Sequence, residues 1–474
     1  MLFPTFGFFT FFTFVLIFNW YLKRWSLIWR LFLLLSSYFF YSVWDLRFLS
    51  ILFFVSLVNF LTGLLIYLNI FKSKKLVLIL SIIVNILVLI VFKYYDFFRI
   101  SLETLLKKLG FPFTFPLLNI ILPIGLSFYI FRTISYNIDV YREKIKPTFS
   151  VLDFLIYVAF FPQLLAGPIA RAGDFLPQLR DGGAKAIENL YQNITLIISG
   201  LFKKLVISSY LVLNLTDNVF AVPENHSPLI ILLAIFTYTL VIYFDFSGYS
   251  DMAIGFAGLM GFKSPINFDS PYLAQNLIDF WRRWHISFSS WLRDYIYIPL
   301  GGNREGNNRK YFNLMVVMVI AGLWHGAALH FIFWGFLYGI GLVATHFLRD
   351  RKGLNLNPEK SVSKIDKFSS WFLTFNFVSF LWIFFRSESI SSAFKLIKSL
   401  FNFSFPVEPF PVYILIFMIL GFLFFLFEKR IIDFFSRFQK KLPLATWLLF
   451  IILIIIFIFK LSPDTVPNFI YFSF

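Results

Sequence analysis

Apolar stretches close to the length of a membrane-spanning helix recur along the whole chain of 474 residues. A helix needs about 20 mostly apolar residues to cross a bilayer, so the recurrence predicts an all-α polytopic membrane protein with about 11–13 transmembrane or re-entrant helices. The candidate spans are residues 5–21, 31–44, 48–70, 76–92, 115–135, 150–166, 190–214, 228–246, 311–345, 371–385, 411–428 and 443–460, with two helices expected within 311–345.

The composition argues against a soluble domain anywhere in the chain. Hydrophobic residues make up 59% of the sequence and charged residues 14%, whereas a soluble domain carries about 25% charged residues. The N-terminus lacks the basic start and the cleavage site of a secretory signal, so residues 5–21 are expected to remain as a first span. The most polar loop, residues 349–367, is short, which predicts one domain over residues 1–474.

The net charge of +17 is concentrated in short loops between the apolar spans. In a soluble protein it would suggest a nucleic-acid partner. Here it follows the positive-inside rule, which predicts contact with the lipid bilayer and no nucleic acid. Basic residues at 23–30, 72–75, 349–367 and 429–441 predict cytoplasmic loops. Both termini are then expected outside, since the tail after Lys460 has no Lys or Arg.

Residues 245–345 alternate apolar runs with dense polar clusters. Ionisable groups at membrane depth are costly, so they normally face a protein interior or a water-filled cavity. Glycines in the same region permit close helix approach or broken segments. We therefore expect the working site in this third of the chain.

His325 lies in the apolar run AGLWHGAA, residues 321–328. Gly322 and Gly326 are four residues apart and fall on one helix face, where a neighbouring backbone or a substrate chain can approach. A neutral imidazole can take a proton from a hydroxyl. From spacing alone, His325 is either a general base or a buried histidine that hydrogen-bonds across helices.

A second cluster, residues 280–302, combines tryptophans, arginines and His285. If it is helical, Trp281, Trp284, Phe288 and Trp291 form an aromatic stripe with His285 on the same face. Arg282, Arg283 and Arg293 fall on other faces. This pattern is typical of a helix at the membrane interface, and for the arginines it favours simple anchoring.

A third cluster is DFSGYSD, residues 245–251. Asp245 and Asp251 are candidates to orient a histidine or to bind a cation, and Ser247 and Ser250 are possible nucleophiles. The nucleophile elbow of serine hydrolases is missing from the sequence. Cysteine is absent from the chain, and the histidines lack metal-ligand spacing, so the sequence predicts no metal.

At these clusters the chain resembles the membrane-bound O-acyltransferase family, and it is similar to the branch of bacterial alginate-type polysaccharide O-acetyltransferases. The likeness extends from about Phe39 to the C-terminus, and its motifs occur in the order of the family. They are FFPQLLAGPI at 160–169, DFSGYSDMA at 245–253, NF at 267–268, residues 280–300, and GLWHGA at 322–327.

The resemblance implies helices around a central funnel with a catalytic histidine near its narrowest point. His325 matches that histidine, and His285 matches a second motif position that holds Asn or His in the wider family. Substrate-binding or supporting roles are expected for other residues of the matching motifs, namely Asp245, Ser247, Asp251, Trp281, Arg282 and Trp324.

The implied reaction is acyl transfer, in this branch acetyl transfer, to hydroxyls of an exported polysaccharide such as alginate. We expect a donor such as acetyl-CoA or another acetyl carrier on the cytoplasmic side, a periplasmic acetyltransferase- or esterase-like partner, and a place in the bacterial inner membrane. Without cysteine, transfer is direct or passes through acyl-histidine or acyl-tyrosine. The alternatives are D-alanyl transfer to teichoic acid by the same fold, or a non-catalytic polymer or lipid exporter.

The tail PNFIYFSF, residues 467–474, ends in aromatic residues. One interpretation is an interfacial anchor, since aromatic residues at the end of a span commonly lie at headgroup depth. The other is that the uncharged tail folds back into the funnel. Tyr471 would then receive the acyl group or guide it to a partner, as a similar aromatic tail in this branch suggests.

Overall fold

The computed structural model describes residues 3–111, 113–118, 120–165, 167–183, 186–351, 363–403 and 412–472, and these contain α-helices and no β-strand. The helices α1 to α12 are Phe6–Leu22, Ser26–Ser42, Leu46–Leu68, Lys74–Leu89, Tyr95–Lys108, Leu126–Tyr141, Val151–Ala159, Phe161–Leu164, Ala172–Arg180, Leu190–Leu201, Ser209–Leu211 and Asp217–Ala221. The helices α13 to α21 are Pro228–Leu259, Leu277–Arg283, Ile286–Leu292, Gly306–His325, Leu329–Arg351, Lys364–Arg386, Ile390–Ser399, Val412–Gln439 and Leu444–Leu461.

Eight continuous helical segments of the described chain are long and apolar enough to cross a membrane. This confirms the prediction of an all-α polytopic membrane protein. The segments are Leu46–Leu68, Lys74–Lys108, Leu190–Ala221, Pro228–Leu259, Leu329–Arg351, Lys364–Arg386, Val412–Gln439 and Leu444–Leu461. Short π-helical turns occur within some of them, including Phe202–Ser208.

The predicted span at 115–135 is wrong in its first half. Residues 113–118 and 120–122 are not helical, and α6 begins only at Leu126. Pro116 and Pro123 lack the backbone N–H that a helix needs and restrict the residue before them. Gly125 then takes a left-handed φ of 75°. This run is therefore as apolar as a membrane span, but its first half does not form a helix.

Two other predicted segments include residues that the structure does not describe. The continuous span predicted at 150–166 is wrong, because the helix breaks at Phe160 between α7 and α8. Residue 166 lies outside the described residues. The basic loop at 349–367 begins as the end of α17 and ends as the start of α18, while its residues 352–362, with Lys352 and Lys360, also lie outside them.

Polar side chains fix the first residue of many helices. A side-chain oxygen at the N-cap accepts a backbone N–H of the first turn that would otherwise have no partner. The residues that cap in this way are Thr5, Asp45, Ser73, Ser150, Asn276, Ser363 and Ser389.

The chain divides into two compact units, of which the first comprises Met1–Leu190 and Ala253–Pro265. A buried polar network joins α3, α4 and α6 in this unit. The Asn59 side-chain oxygen accepts from the Asn85 amide at 2.9 Å and from the Asn137 amide at 2.7 Å. Such bonds satisfy polar groups that have no water in an apolar surrounding. The prediction of a single domain stays a prediction.

The second unit comprises Tyr191–Met252 and Ile266–Phe474. Within it, α16 and α17 pack with their backbones in close approach. A Cβ added at Gly335 would lie 2.2 Å from the Met318 carbonyl oxygen, and one at Gly322 would lie 2.2 Å from the Phe331 carbonyl oxygen. The expectation that Gly322 lets a neighbouring backbone approach is therefore confirmed, and the backbone is that of α17.

We expect Gly335→Ala to lower the free energy of unfolding by about 1–3 kcal/mol, because the added methyl group has no space against a backbone carbonyl. The measurement is the thermal unfolding midpoint of the purified protein in detergent. Gly7→Ala is the control, since a Cβ at Gly7 has nothing within 4 Å. Equal midpoints for both variants would contradict this account of the α16–α17 contact.

Candidate active site

His325 is the last residue of α16. Gly326 continues in extended conformation, so the expectation that it shares a helix face with Gly322 is wrong. The side chain is buried, with 3% of the residue exposed, and its ring centroid lies 5.0 Å from those of Trp334 and Phe385. The C-terminus of a helix carries partial negative charge, which stabilises a cation there. His325 therefore lies at the negative end of α16.

His285 does not lie on a continuous aromatic helix, so that expectation is wrong. Helix α14 ends at Arg283, α15 begins at Ile286, and His285 between them has a left-handed φ of 42°. The spacing of the aromatic residues is the same on either side of the break, and hydrophobic periodicity could not reveal it. A non-glycine residue in this conformation is strained and persists only where its surroundings hold it.

Asn267, from a matching motif, holds the break at His285. Its backbone carbonyl accepts the N–H of Ile286 at 2.9 Å, and its side-chain oxygen accepts the Ser287 hydroxyl at 2.9 Å. The Asn267 amide in turn donates to the Ser250 hydroxyl at 3.1 Å. Asn267 thereby links the DFSGYSD motif to the histidine, a role that the sequence analysis did not identify.

The aromatic residues of this cluster lie inside the protein rather than at an interface. Trp284, Phe288 and Trp291 are buried. Trp281 is partly buried, with its ring centroid 5.2 Å from that of Tyr338. Arg282 is exposed, and Arg283 pairs with Asp279 at 2.9 Å. These tryptophans therefore pack against other aromatic side chains of the protein.

Trp324 brings the two histidines into one cluster. Its ring centroid lies 4.7 Å from that of His325 and 5.8 Å from that of His285. The Phe288 ring is stacked on Trp324 at 4.1 Å. Aromatic rings on several sides exclude water, and electrostatic interactions are stronger in such a place than in solution.

Tyr471, from the C-terminal tail, joins this cluster. Its ring centroid lies 5.6 Å from that of His325, 6.5 Å from that of His285 and 5.7 Å from that of Trp324. The centroid of the Phe246 ring lies 4.6 Å from that of His285 and 4.8 Å from that of Tyr471. Residues 473 and 474 of the predicted tail lie outside the described residues.

The carboxylates of the DFSGYSD motif meet lysines. Asp245 pairs with Lys204, and Asp251 pairs with Lys203. Lys203 also contacts Glu428, whose other oxygen accepts the Tyr243 hydroxyl at 2.6 Å. Ser247 is fully buried in α13. The cations that these aspartates bind are thus side chains of the chain itself.

Lys203, Lys204 and Glu428 were missed by the sequence analysis. Their signal was present, because each lies inside a long apolar helix, where an ionisable residue marks a functional or structural site by default. The predicted clusters lie within residues 245–345. The residues that form ion pairs with them lie on α20 and on the π-helical turn Phe202–Ser208.

Burial changes the acid–base properties of the site. It lowers the pKa of His285 to about 3, which keeps the imidazole neutral at physiological pH. It raises the pKa of Tyr471 well above its ordinary value, with a further contribution from nearby negative charge. His285 is thus suited to hydrogen bonding, and the Tyr471 phenol reacts only if a base takes its proton. The described residues include no cluster of three His, Asp or Glu side chains able to hold a metal ion.

The chain belongs to the membrane-bound O-acyltransferase family, MBOAT, whose sequence model matches residues 33–351. It is therefore an O-acyltransferase. It is 39% identical over 376 residues to the probable alginate O-acetylase AlgI of Pseudomonas putida. The aligned region covers 79% of this chain and 75% of that protein.

Two other relatives differ in the polymer that their names specify. The peptidoglycan O-acetyltransferase of Helicobacter pylori is 38% identical over 400 residues, covering 78% of this chain and 73% of that protein. The teichoic acid D-alanyltransferase of Streptococcus thermophilus is 30% identical over 274 residues, covering 54% of this chain and 66% of that protein.

If His285 acts by hydrogen bonding, His285→Asn should retain more activity than His285→Ala, because an amide can replace an imidazole as donor or acceptor. We expect Ala to lower activity about tenfold further than Asn, the effect of losing one buried hydrogen bond. The measurement is ester formed on the exported glycan at matched membrane levels of protein. Equal loss in the two variants would argue against this role.

Proposed function

We propose that this O-acyltransferase moves an acetyl group toward hydroxyls of an exported polysaccharide such as alginate, with His325 as general base and Tyr471 as acyl carrier. The observation that carries the proposal is the contact between the His325 and Tyr471 rings, 5.6 Å between centroids, inside the aromatic cluster. The higher identity and wider coverage of the acetyl-transferring relatives support acetyl over D-alanyl.

The reaction proceeds in two transfers. In the first, His325 takes the phenol proton while the Tyr471 oxygen attacks the acetyl carbonyl of the donor. With a thioester such as acetyl-CoA, the carbon–sulfur bond breaks and the leaving thiolate receives that proton. In the second, an acceptor hydroxyl attacks the tyrosyl ester, the acetyl group moves to that hydroxyl, and its proton returns to Tyr471.

The neighbouring residues assist without exchanging protons. His285, neutral because of its burial, holds or polarises the acyl carbonyl. Trp324 and Phe246 flank the reacting groups and keep water from the ester. Such positioning adds to base catalysis by raising the effective concentration of the reacting groups.

The donor, acetyl-CoA or another acetyl carrier, reaches the site from the cytoplasmic side. The product passes to the polysaccharide outside, or to a periplasmic acetyltransferase- or esterase-like partner. The loop charges favour an orientation with both termini outside, and the similarity to bacterial O-acyltransferases supports a place in a bacterial inner membrane. Genes beside this one offer a test: an esterase-like periplasmic protein supports glycan acetylation, and a carrier protein with a D-alanine-activating ligase supports the alternative.

We expect His325→Ala to lower ester formation by about 10²–10⁴-fold, the usual contribution of a general base. The assay is acetyl ester on the exported glycan in a deletion strain that carries the variant at wild-type membrane levels. His325→Gln keeps much of the volume and polarity, and should fail as well. Substantial ester in either variant would remove His325 as the base, and would favour an exporter-like role for the polar site.

Tyr471→Phe removes one hydroxyl and keeps the aromatic packing of the tail. As the acyl carrier, Tyr471 has no substitute, so we expect ester formation to fall by about 10²-fold or more with protein levels unchanged. Tyr413→Phe, which alters an exposed tyrosine on α20, is the control and should retain wild-type ester content. Wild-type ester content in Tyr471→Phe would contradict the carrier role and favour the interpretation of the tail as an interfacial anchor.

A further inference from the structure

Two buried charged side chains bind the backbone of the C-terminal tail. The Lys204 ammonium donates to the Asn468 carbonyl at 3.2 Å, and one Asp245 carboxylate oxygen accepts the N–H of Ile470 at 2.8 Å. The other Asp245 oxygen accepts from Lys204. The ion pair thus engages one acceptor and one donor of the tail, two residues apart.

Local structure brings the pair together. The π-helical turn Phe202–Ser208 contains Lys203 and Lys204, and the two lysines reach different partners, Asp251 and Asp245. Nearby, a Cβ added at Gly248 would lie 2.8 Å from the Gly200 carbonyl oxygen. This close approach places Lys204 within reach of α13. π-helical turns of this kind are frequent at functional sites.

Apolar packing does not account for the position of the whole tail. Phe469 is buried, with its ring centroid 4.2 Å from that of Tyr249. The neighbouring residues instead border a cavity of about 260 Å³, whose lining includes Lys204, Asp245, Arg386, Pro467, Asn468 and Ile470. Along this side the tail borders open space, and its backbone contacts to Lys204 and Asp245 link it to the turn Phe202–Ser208 and to α13.

We propose that the Lys204–Asp245 ion pair is a clamp that positions the tail so that Tyr471 lies beside His325. Tyr471 follows Ile470 directly, so fixing the Ile470 N–H fixes the start of the tyrosine side chain. Lys204 and Asp245 are positioning residues that act through Tyr471. The effect on activity rests on the proposed carrier role of Tyr471, whereas the docking of the tail does not.

A thiol on the tail reports docking directly. The chain has no cysteine, so Ile470→Cys introduces a single thiol and keeps the backbone N–H that Asp245 accepts. The full-length protein in detergent is labelled with N-ethylmaleimide. We expect Lys204→Gln to raise the labelling rate about tenfold, the effect of losing a hydrogen bond to a charged group.

Arg386→Gln is the matched control for this labelling. Arg386 lines the same cavity and pairs with Asp217 at 2.6 Å, and its loss leaves the labelling rate within about twofold of the parent because the clamp contacts remain. An unchanged rate in Lys204→Gln, or an equal rise in Arg386→Gln, would overturn the clamp.

A tail variant avoids any change within the buried helices. Ile470→Pro removes the N–H that Asp245 accepts and leaves the ion pair in place, while Ile470→Val keeps the N–H. We expect acetyl ester on the exported glycan to fall about tenfold in Ile470→Pro and to stay near wild type in Ile470→Val. Full ester in Ile470→Pro, in a strain background where Tyr471→Phe is inactive, would overturn the clamp. If Tyr471→Phe is active, the carrier role fails and the labelling rates alone decide whether the clamp exists.

Discussion

Charged groups inside an apolar protein need partners within that protein, and the lysines of the turn Phe202–Ser208 show what this requirement produces. Lys203 and Lys204 are almost entirely buried, and each meets a carboxylate from α13. An isolated charge there would be strongly destabilising, whereas a paired and hydrogen-bonded one is tolerated. The pairs join α13 to the helices around it, and through Lys204 and Asp245 they extend to the tail that carries Tyr471.

Polar residues and glycines, more than apolar residues, hold the helices of the second unit together around the candidate site. Apolar side chains gain little by leaving lipid for protein, so close backbone contact and polar bonds hold membrane helices together. Gly322 and Gly335 allow the close backbone contact, and Asn267 makes polar bonds of this kind. The strained backbone at His285 persists because Asn267 satisfies the polar groups that follow it.

Hydrophobicity and spacing were enough to predict the helical membrane fold, and the motifs were enough to predict the family. The catalytic role of His325 stays a prediction. Two features were beyond that reasoning. The break at His285 is invisible to periodicity, because the aromatic residues on both sides keep helical spacing. The partners of Asp245 and Asp251 are distant in sequence, and no local pattern links Lys204 to Asn468. Pro116 and Pro123 did carry a signal against a full span at 115–135, which the apolar composition of that stretch outweighed. The roles of Ser247 and Arg282 stay predictions.

The glycine contact between α16 and α17 has a consequence for how a common scaffold can serve different polymers. His325 ends a helix whose backbone meets that of its neighbour with no side chain between them. Such a contact has no adjustable side-chain layer, so the packing of the two backbones fixes the position of His325, the proposed base. Substitutions away from this contact can therefore accumulate without moving the histidine.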